Sequence, residues 1–118
     1  MVSPFSLASA VVGGALTMVG AGVCLRWYAF WRRHYRGDLL TEGPYAHVRH
    51  PFYTGFLALA LGLAILIPIW ETLLLAVFSV TGIVFFIERE EEYLLSHYGK
   101  SYRNYAKRVP WKLIPRIY

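Results

Sequence analysis

The 118-residue chain is poor in charge and almost free of cysteine. Charged residues make up 16% of it, against roughly 25% in a typical soluble domain. Cys24 is the single cysteine, which excludes an internal disulfide and a thiolate metal cluster. Charge is missing altogether from three stretches: Val2 to Leu25, Pro51 to Trp70, and Thr72 to Ile87. A helix rising about 1.5 Å per residue needs about 20 apolar residues to cross a hydrocarbon core of about 30 Å. The first two runs meet that length, and the third reaches it by continuing into Glu88. One such run fits inside a soluble core; three in so short a chain do not. The expected fold is an all-α integral membrane domain spanning 1–118, with transmembrane helices at about 5–27, 52–70 and 71–88. A polar loop at 32–51 and a helical tail at 89–118 complete it. The first run also lacks the basic flank of a signal peptide and is too long for one.

The N-terminal flank has no lysine or arginine, and the turn at Pro68-Ile69-Trp70-Glu71 carries only an acid. Arg26, Arg32, Arg33, Arg36 and Arg49 lie between the first two runs, and the other seven basic residues follow the third. The positive-inside rule therefore puts the loop and tail in the cytoplasm and the N-terminus outside. Anionic lipid headgroups account for the basic excess, so no nucleic-acid partner is expected.

Within the first helix, Ala10, Gly13, Gly14, Gly20 and Gly22 are small enough for close helix packing. Trp27, Tyr28, Trp31 and Tyr35 beside the arginines read as an interfacial belt. Gly43-Pro44 marks a turn, and Pro51 biases His50 away from helix. The third helix should run on through Glu88–Leu95, with Gly99 at its C′ position. A further helix from about Ser101, stopped by Pro110, places Tyr98, Tyr102, Tyr105 and Val109 on one apolar face, read as core packing.

Two polar clusters remain, Gly43–Gly55 and Glu88–Arg108. A tight hairpin between them brings both to one face of the membrane, where a site can form. Arg49 and His50 could otherwise be interfacial residues reaching for phosphates, and Glu88 and Glu92 read as solvated. Successive helical residues differ by about 100° in direction, so Glu90 and Glu91 cannot do the same job. His47 and His50 are three apart, but Pro51 interrupts any helix that would align them, so no metal site is expected.

Gly43-Pro44-Tyr45, then Arg49-His50-Pro51 with Tyr53 and Gly55, match the pattern GPY…RHPxYxG. Glu90-Glu91-x-x-Leu94, Gly99, Tyr102, Tyr105 and Arg108-Val109-Pro110 match EExxL…GxxYxxY…RVP, with Ile114-Pro115 following. Leu25-Arg26-x-Tyr28 is weakly similar to an LRxWA stretch. On these residues the chain resembles the isoprenylcysteine carboxyl methyltransferases and their phospholipid methyltransferase relatives. The resemblance implies S-adenosylmethionine as methyl donor and a lipophilic acceptor, such as an isoprenylcysteine-like carboxylate, at the cytoplasmic membrane face. It places Leu39, Leu40, Tyr45, His50, Pro51, Phe52, Tyr53, Glu90 and Glu91 around the cofactor. Arg49 is expected to take the donor's carboxylate and Arg89 to hold an acidic acceptor, the two being the catalytic candidates. Relatives carry more transmembrane helices before this core, so a homo-oligomer could complete the pocket. Sterol reductases, which use NADPH, share parts of the tail and form the alternative enzyme class. A small transporter or scaffold subunit is the non-enzymatic alternative; transporters usually keep a charge inside the membrane, and these spans have none.

Overall fold

A computed structural model describes residues 4–118, with side chains from residue 7 onward. Val2 and Ser3, at the start of the first uncharged run, lie outside the described residues. Four α-helices and one short 3-10 turn make up the fold, and no strand occurs among the described residues. They are α1 (Pro4–His34), the 3-10 turn (Gly43–Ala46), α2 (Pro51–Leu66), α3 (Trp70–Tyr98) and α4 (Lys100–Arg108). The whole is elongated, 58 Å in its longest dimension.

Helix boundaries follow local chemistry. α1 ends on Arg32, Arg33 and His34, cations that suit the negative end of the helix dipole. α2 opens on Pro51, whose missing N–H costs nothing at a first-turn position. It stops at Leu66 because Pro68 forces Ile67 out of the helical region. At 16 residues α2 is shorter than the expected 52–70. Among the described residues, Leu7–His34 and Trp70–Tyr98 are long and apolar enough to cross a membrane, whereas Pro51–Leu66 is apolar but shorter. The turn into α3 is closed by Thr72, whose hydroxyl accepts the Ile69 N–H at 3.2 Å and bonds back to the Ile67 carbonyl. α3 runs unbroken through Glu88–Glu92 and ends at Gly99, which has the positive φ of 58° that glycine tolerates.

α2 packs closely along α1, backbone to backbone. A Cβ at Gly13 would lie 2.5 Å from the Leu66 nitrogen, and one at Gly62 2.5 Å from the Thr17 nitrogen. Gly20 likewise meets the Leu59 backbone, and Gly55 meets Cys24. Gly14 and Gly22, grouped with these by the sequence, face open space instead. Where α2 and α3 meet, Leu113 of the C-terminal tail fills the wedge, buried with Ile83 and Ile87 against Tyr53, Phe56 and Leu57. A second core joins Tyr102, Tyr105 and Val109 to Leu39, Tyr45, Leu94 and Tyr98. This second core lies under the site.

Candidate active site

Three elements converge at the polar end: the loop before α2, the α3 segment around Glu90-Glu91, and α4. The loop is shaped first. Gly43 has a φ of 61°, and a side chain there would strike the Phe30 ring of α1. The Tyr105 hydroxyl then pins it, donating to the Tyr45 carbonyl at 2.6 Å. Tyr98 donates to the Gly37 carbonyl at 2.9 Å and holds the preceding segment. The backbone that presents Arg49 and His50 is thereby tied to α4.

At that backbone the two sequence clusters meet. Arg49 Nη2 lies 2.9 Å from Glu91 Oε1, with side chains only 11% and 15% exposed. His50, the N-cap of α2, is buried, with Nε2 3.6 Å from Glu91 Oε1 and Nδ1 3.9 Å from Glu90 Oε2. Glu90 and Glu91 thus divide their tasks: Glu91 faces the arginine, and the more exposed Glu90 faces open volume. Glu88 points elsewhere, accepting from Lys112 Nζ at 3.1 Å, and Glu92 is exposed. The contacts leave polar capacity unused. Arg49 Nε, His50 Nε2, Glu90 Oε2, both Glu91 oxygens and the Tyr102 hydroxyl are buried without an aligned hydrogen-bond partner among the described residues. Orphaned buried groups cost about 1–3 kcal/mol each, so such a cluster is stabilised by a polar ligand.

Two cavities open beside the cluster. The first, about 290 Å³, is bounded by Leu39 and Leu40 of the loop, Trp31 of α1 and Tyr35 just past its end, and the tyrosines of α3 and α4. The second, about 230 Å³, is bounded by His50, Pro51, Phe52, Tyr53 and Trp27. Tyr45, Arg49 and Glu90 border both. The residues assigned to the cofactor by resemblance therefore divide: Leu39 and Leu40 face one cavity, His50 to Tyr53 the other, with Tyr45 and Glu90 shared. Glu91 lies behind, paired to Arg49. Arg89 borders neither cavity; it is exposed, with its guanidinium 5.0 Å from the Phe85 ring centroid.

Several bordering residues were given other roles by the sequence reading and not assigned to the site. Trp27 donates to the Tyr45 hydroxyl at 2.7 Å, turned inward where an interfacial belt was expected. Trp27, Trp31 and Tyr35 stack in succession, with centroids 6.0 and 5.2 Å apart. Their spacing of four residues places them on one helix face and was the available signal. Tyr98, Tyr102 and Tyr105, read as core packing, serve as core and cavity wall together. Burial raises the Tyr45 phenol above its ordinary value; the Trp27 hydrogen bond offsets this in part, and the Glu90 charge adds to it. Burial, chiefly, also pushes Tyr105 upward. Both stay neutral at physiological pH, able to donate.

The donor set suits a zwitterionic ligand with an aromatic base. Carboxylates suit an ammonium, an arginine suits a carboxylate, and aromatic walls suit a flat heterocycle. S-adenosylmethionine has all three groups, and the orphaned atoms above fit them.

Comparison with known proteins agrees with the motifs. Residues 8–101 match the phospholipid methyltransferase family. The chain is 42% identical over 96 residues to the protein-S-isoprenylcysteine O-methyltransferase of Schizosaccharomyces pombe, covering 79% of this chain and 40% of that protein. It is 34% identical over 115 residues to protein-S-isoprenylcysteine O-methyltransferase B of Arabidopsis thaliana, covering 92% and 57%. A Delta(14)-sterol reductase of Mus musculus is 36% identical over 87 residues, covering 69% and 20%. The chain thus spans about half the length of the first two relatives. No solved structure matches it. With the first motif cluster and the Glu90-Glu91 start of the second inside the matched region, and the two joined in space by the Arg49–Glu91 pair, the chain belongs to the phospholipid methyltransferase family, among relatives that include the isoprenylcysteine O-methyltransferases.

Proposed function

We propose that this chain is an integral membrane methyltransferase that uses S-adenosylmethionine to methylate a lipophilic acceptor, an isoprenylcysteine-like carboxylate being the favoured class. The observation that carries the reading is the Arg49–Glu91–Glu90–His50 cluster standing between two cavities that share Tyr45, Arg49 and Glu90. The sequence names of the relatives point the same way.

The larger cavity takes the donor: Glu90 receives its ammonium, Arg49, held from behind by Glu91, its carboxylate, and the tyrosine-lined wall its adenine. The smaller cavity takes the reacting end of the acceptor between Trp27, Phe52 and Tyr53. When bound, S-adenosylmethionine supplies an electrophilic methyl on a sulfonium. The residues contribute by alignment and by exclusion of water. Displacement that disperses charge is favoured in a dry site, and holding two reactants in line removes most of the remaining entropic cost. A carboxylate acceptor needs no base, whereas an amine must first lose a proton. His50 and Glu90 therefore act as positioning groups in this reading.

In the membrane, α1, α2 and α3 form three spans with the N-terminus outside and the site at the cytoplasmic face, as the arginine distribution supports. α2, about 24 Å long at its 16 residues, relies on Ile67 and Ile69 to reach the far side. A second copy closing the cavities on the lipid side is part of this proposal; a monomeric, active detergent-purified protein would exclude it.

Calorimetric titration of S-adenosylhomocysteine into detergent-purified protein tests the donor site. Micromolar binding weakened by Glu90→Gln or Glu91→Gln is expected. Absence of binding by folded protein would overturn the reading. The sterol-reductase similarity supplies the second reading, and tighter binding of NADPH than of S-adenosylhomocysteine would put it first.

A further inference from the structure

Both catalytic motifs are accounted for by the site, but the last residues of the chain are not. Residues after Pro110 form no helix, yet they cross the start of α2 and are bonded to it. The Arg49 N–H donates to the Trp111 carbonyl at 2.9 Å, and the His50 N–H to the Lys112 carbonyl at 3.0 Å. The Thr54 hydroxyl lies 2.7 Å from the Leu113 carbonyl and 3.1 Å from that of His50; with one proton to give, it favours the shorter contact. Three consecutive tail carbonyls are thus taken by the entry to α2.

The need for them is plain from the local sequence. Val48 and His50 are buried, so the N–H groups beside them cannot turn to water. They also precede the first turn of α2, where no carbonyl of that helix is available. Only another segment can satisfy them. The tail is itself anchored: Leu113 is buried between α2 and α3, and Lys112 Nζ reaches Glu88. Its end folds back, with the Leu113 and Ile114 N–H groups donating to the Tyr118 carbonyl at 2.8 and 2.9 Å.

We propose that Trp111–Leu113 form a positioning strap that holds the backbone of Arg49 and His50, with Thr54 as its side-chain latch. Arg49 and His50 lie outside the helices, His50 as the N-cap of α2, so the strap joins the Tyr105 contact in setting the direction of both side chains. Thr54 occupies a variable place in the RHPxYxG pattern, outside the motif's named residues. The strap's effect on donor binding rests on the function proposed above; its hold on the backbone does not.

The test therefore has two readouts on the full chain. Amide exchange of residues 47–53 without ligand reads the strap directly. Thr54→Val should accelerate it about ten-fold, and Thr54→Ser, which keeps the hydroxyl, should not. Affinity for S-adenosylhomocysteine reads the consequence. Thr54→Val should weaken it roughly five-fold, the worth of one ordinary hydrogen bond, with serine restoring it. In an Arg49→Gln background the same change should cost less than two-fold, because its effect passes through Arg49. Unchanged exchange in Thr54→Val would overturn the strap. Accelerated exchange with an equal affinity loss in both backgrounds would overturn its role in positioning Arg49. A wild-type protein that binds no analogue yet shows the exchange effect would sink the donor reading and support the strap.

Discussion

Along the α1–α2 seam, Gly13, Gly20, Gly55 and Gly62 bring backbone against backbone, and no charged side chain takes part. At the polar end the loop before α2, α3, α4 and the tail are held together by different means: an arginine–glutamate pair, tyrosine hydroxyls on loop carbonyls, and tail carbonyls at the entry to α2. Lipid tails are as apolar as leucine, so in a bilayer helices gain by fitting closely, and glycine permits that. Near water a fit of that kind gains less, while buried hydrogen bonds specify direction. One region fixes how far apart the helices stand; the other fixes where charges point.

The largest break in this comparison should come from the seam. Gly20→Leu would drive a side chain into the Leu59 backbone, and we expect no folded protein by size-exclusion chromatography in detergent. Gly14→Leu on the open face should leave the elution profile unchanged. A tolerated Gly20→Leu would show that the seam can spread. Next in size is Leu113→Ala in the wedge between α2 and α3, which should cost about 2–5 kcal/mol as a core truncation, read as a lower thermal midpoint.

Smallest is Tyr105→Phe, which removes the donor to the Tyr45 carbonyl and should cost about 1–2 kcal/mol. The buried phenol also has a raised pKa, so the folded state favours its neutral form. That contribution is complete below the unfolded value of about 10 and is lost as pH rises through the folded one. Thermal midpoints of the wild type should therefore fall above about pH 10. Tyr105→Phe should fall less over that window, and identical slopes would place the ionising group elsewhere.

Much of this was legible in one dimension. The charge-free runs located α1, α2 and α3. Pro51, Gly99 and Pro110 marked limits of α2, α3 and α4, proline because it fixes φ and lacks a donor and glycine because it admits a positive φ. The stop that Pro68 sets on α2 at Leu66 was not read from the sequence. The spacing of the tyrosines in α4 announced its buried face. The two motif clusters were visible as well, and the short hairpin implied that they meet. Less was legible where a residue's type suits two roles. Five small residues in α1 looked alike, yet Gly13 and Gly20 face α2 while Gly14 and Gly22 do not. Trp27 suited an interfacial belt as well as it suits a cavity wall, and its hydrogen bond to Tyr45 decided the matter.

By itself, then, the sequence determined that the chain is helical and apolar, where its helices turn, and which family it belongs to. Hydropathy, proline and glycine act through neighbours a few residues away, and motifs carry their own order. Only the tertiary structure decided that Glu91 rather than Glu90 pairs with Arg49, that the candidate residues divide between two cavities, and that the tail holds the entry to α2. Those pairings join groups about 40 to 60 positions apart through single hydrogen bonds and ionic contacts, whose directionality leaves no periodic trace in the chain.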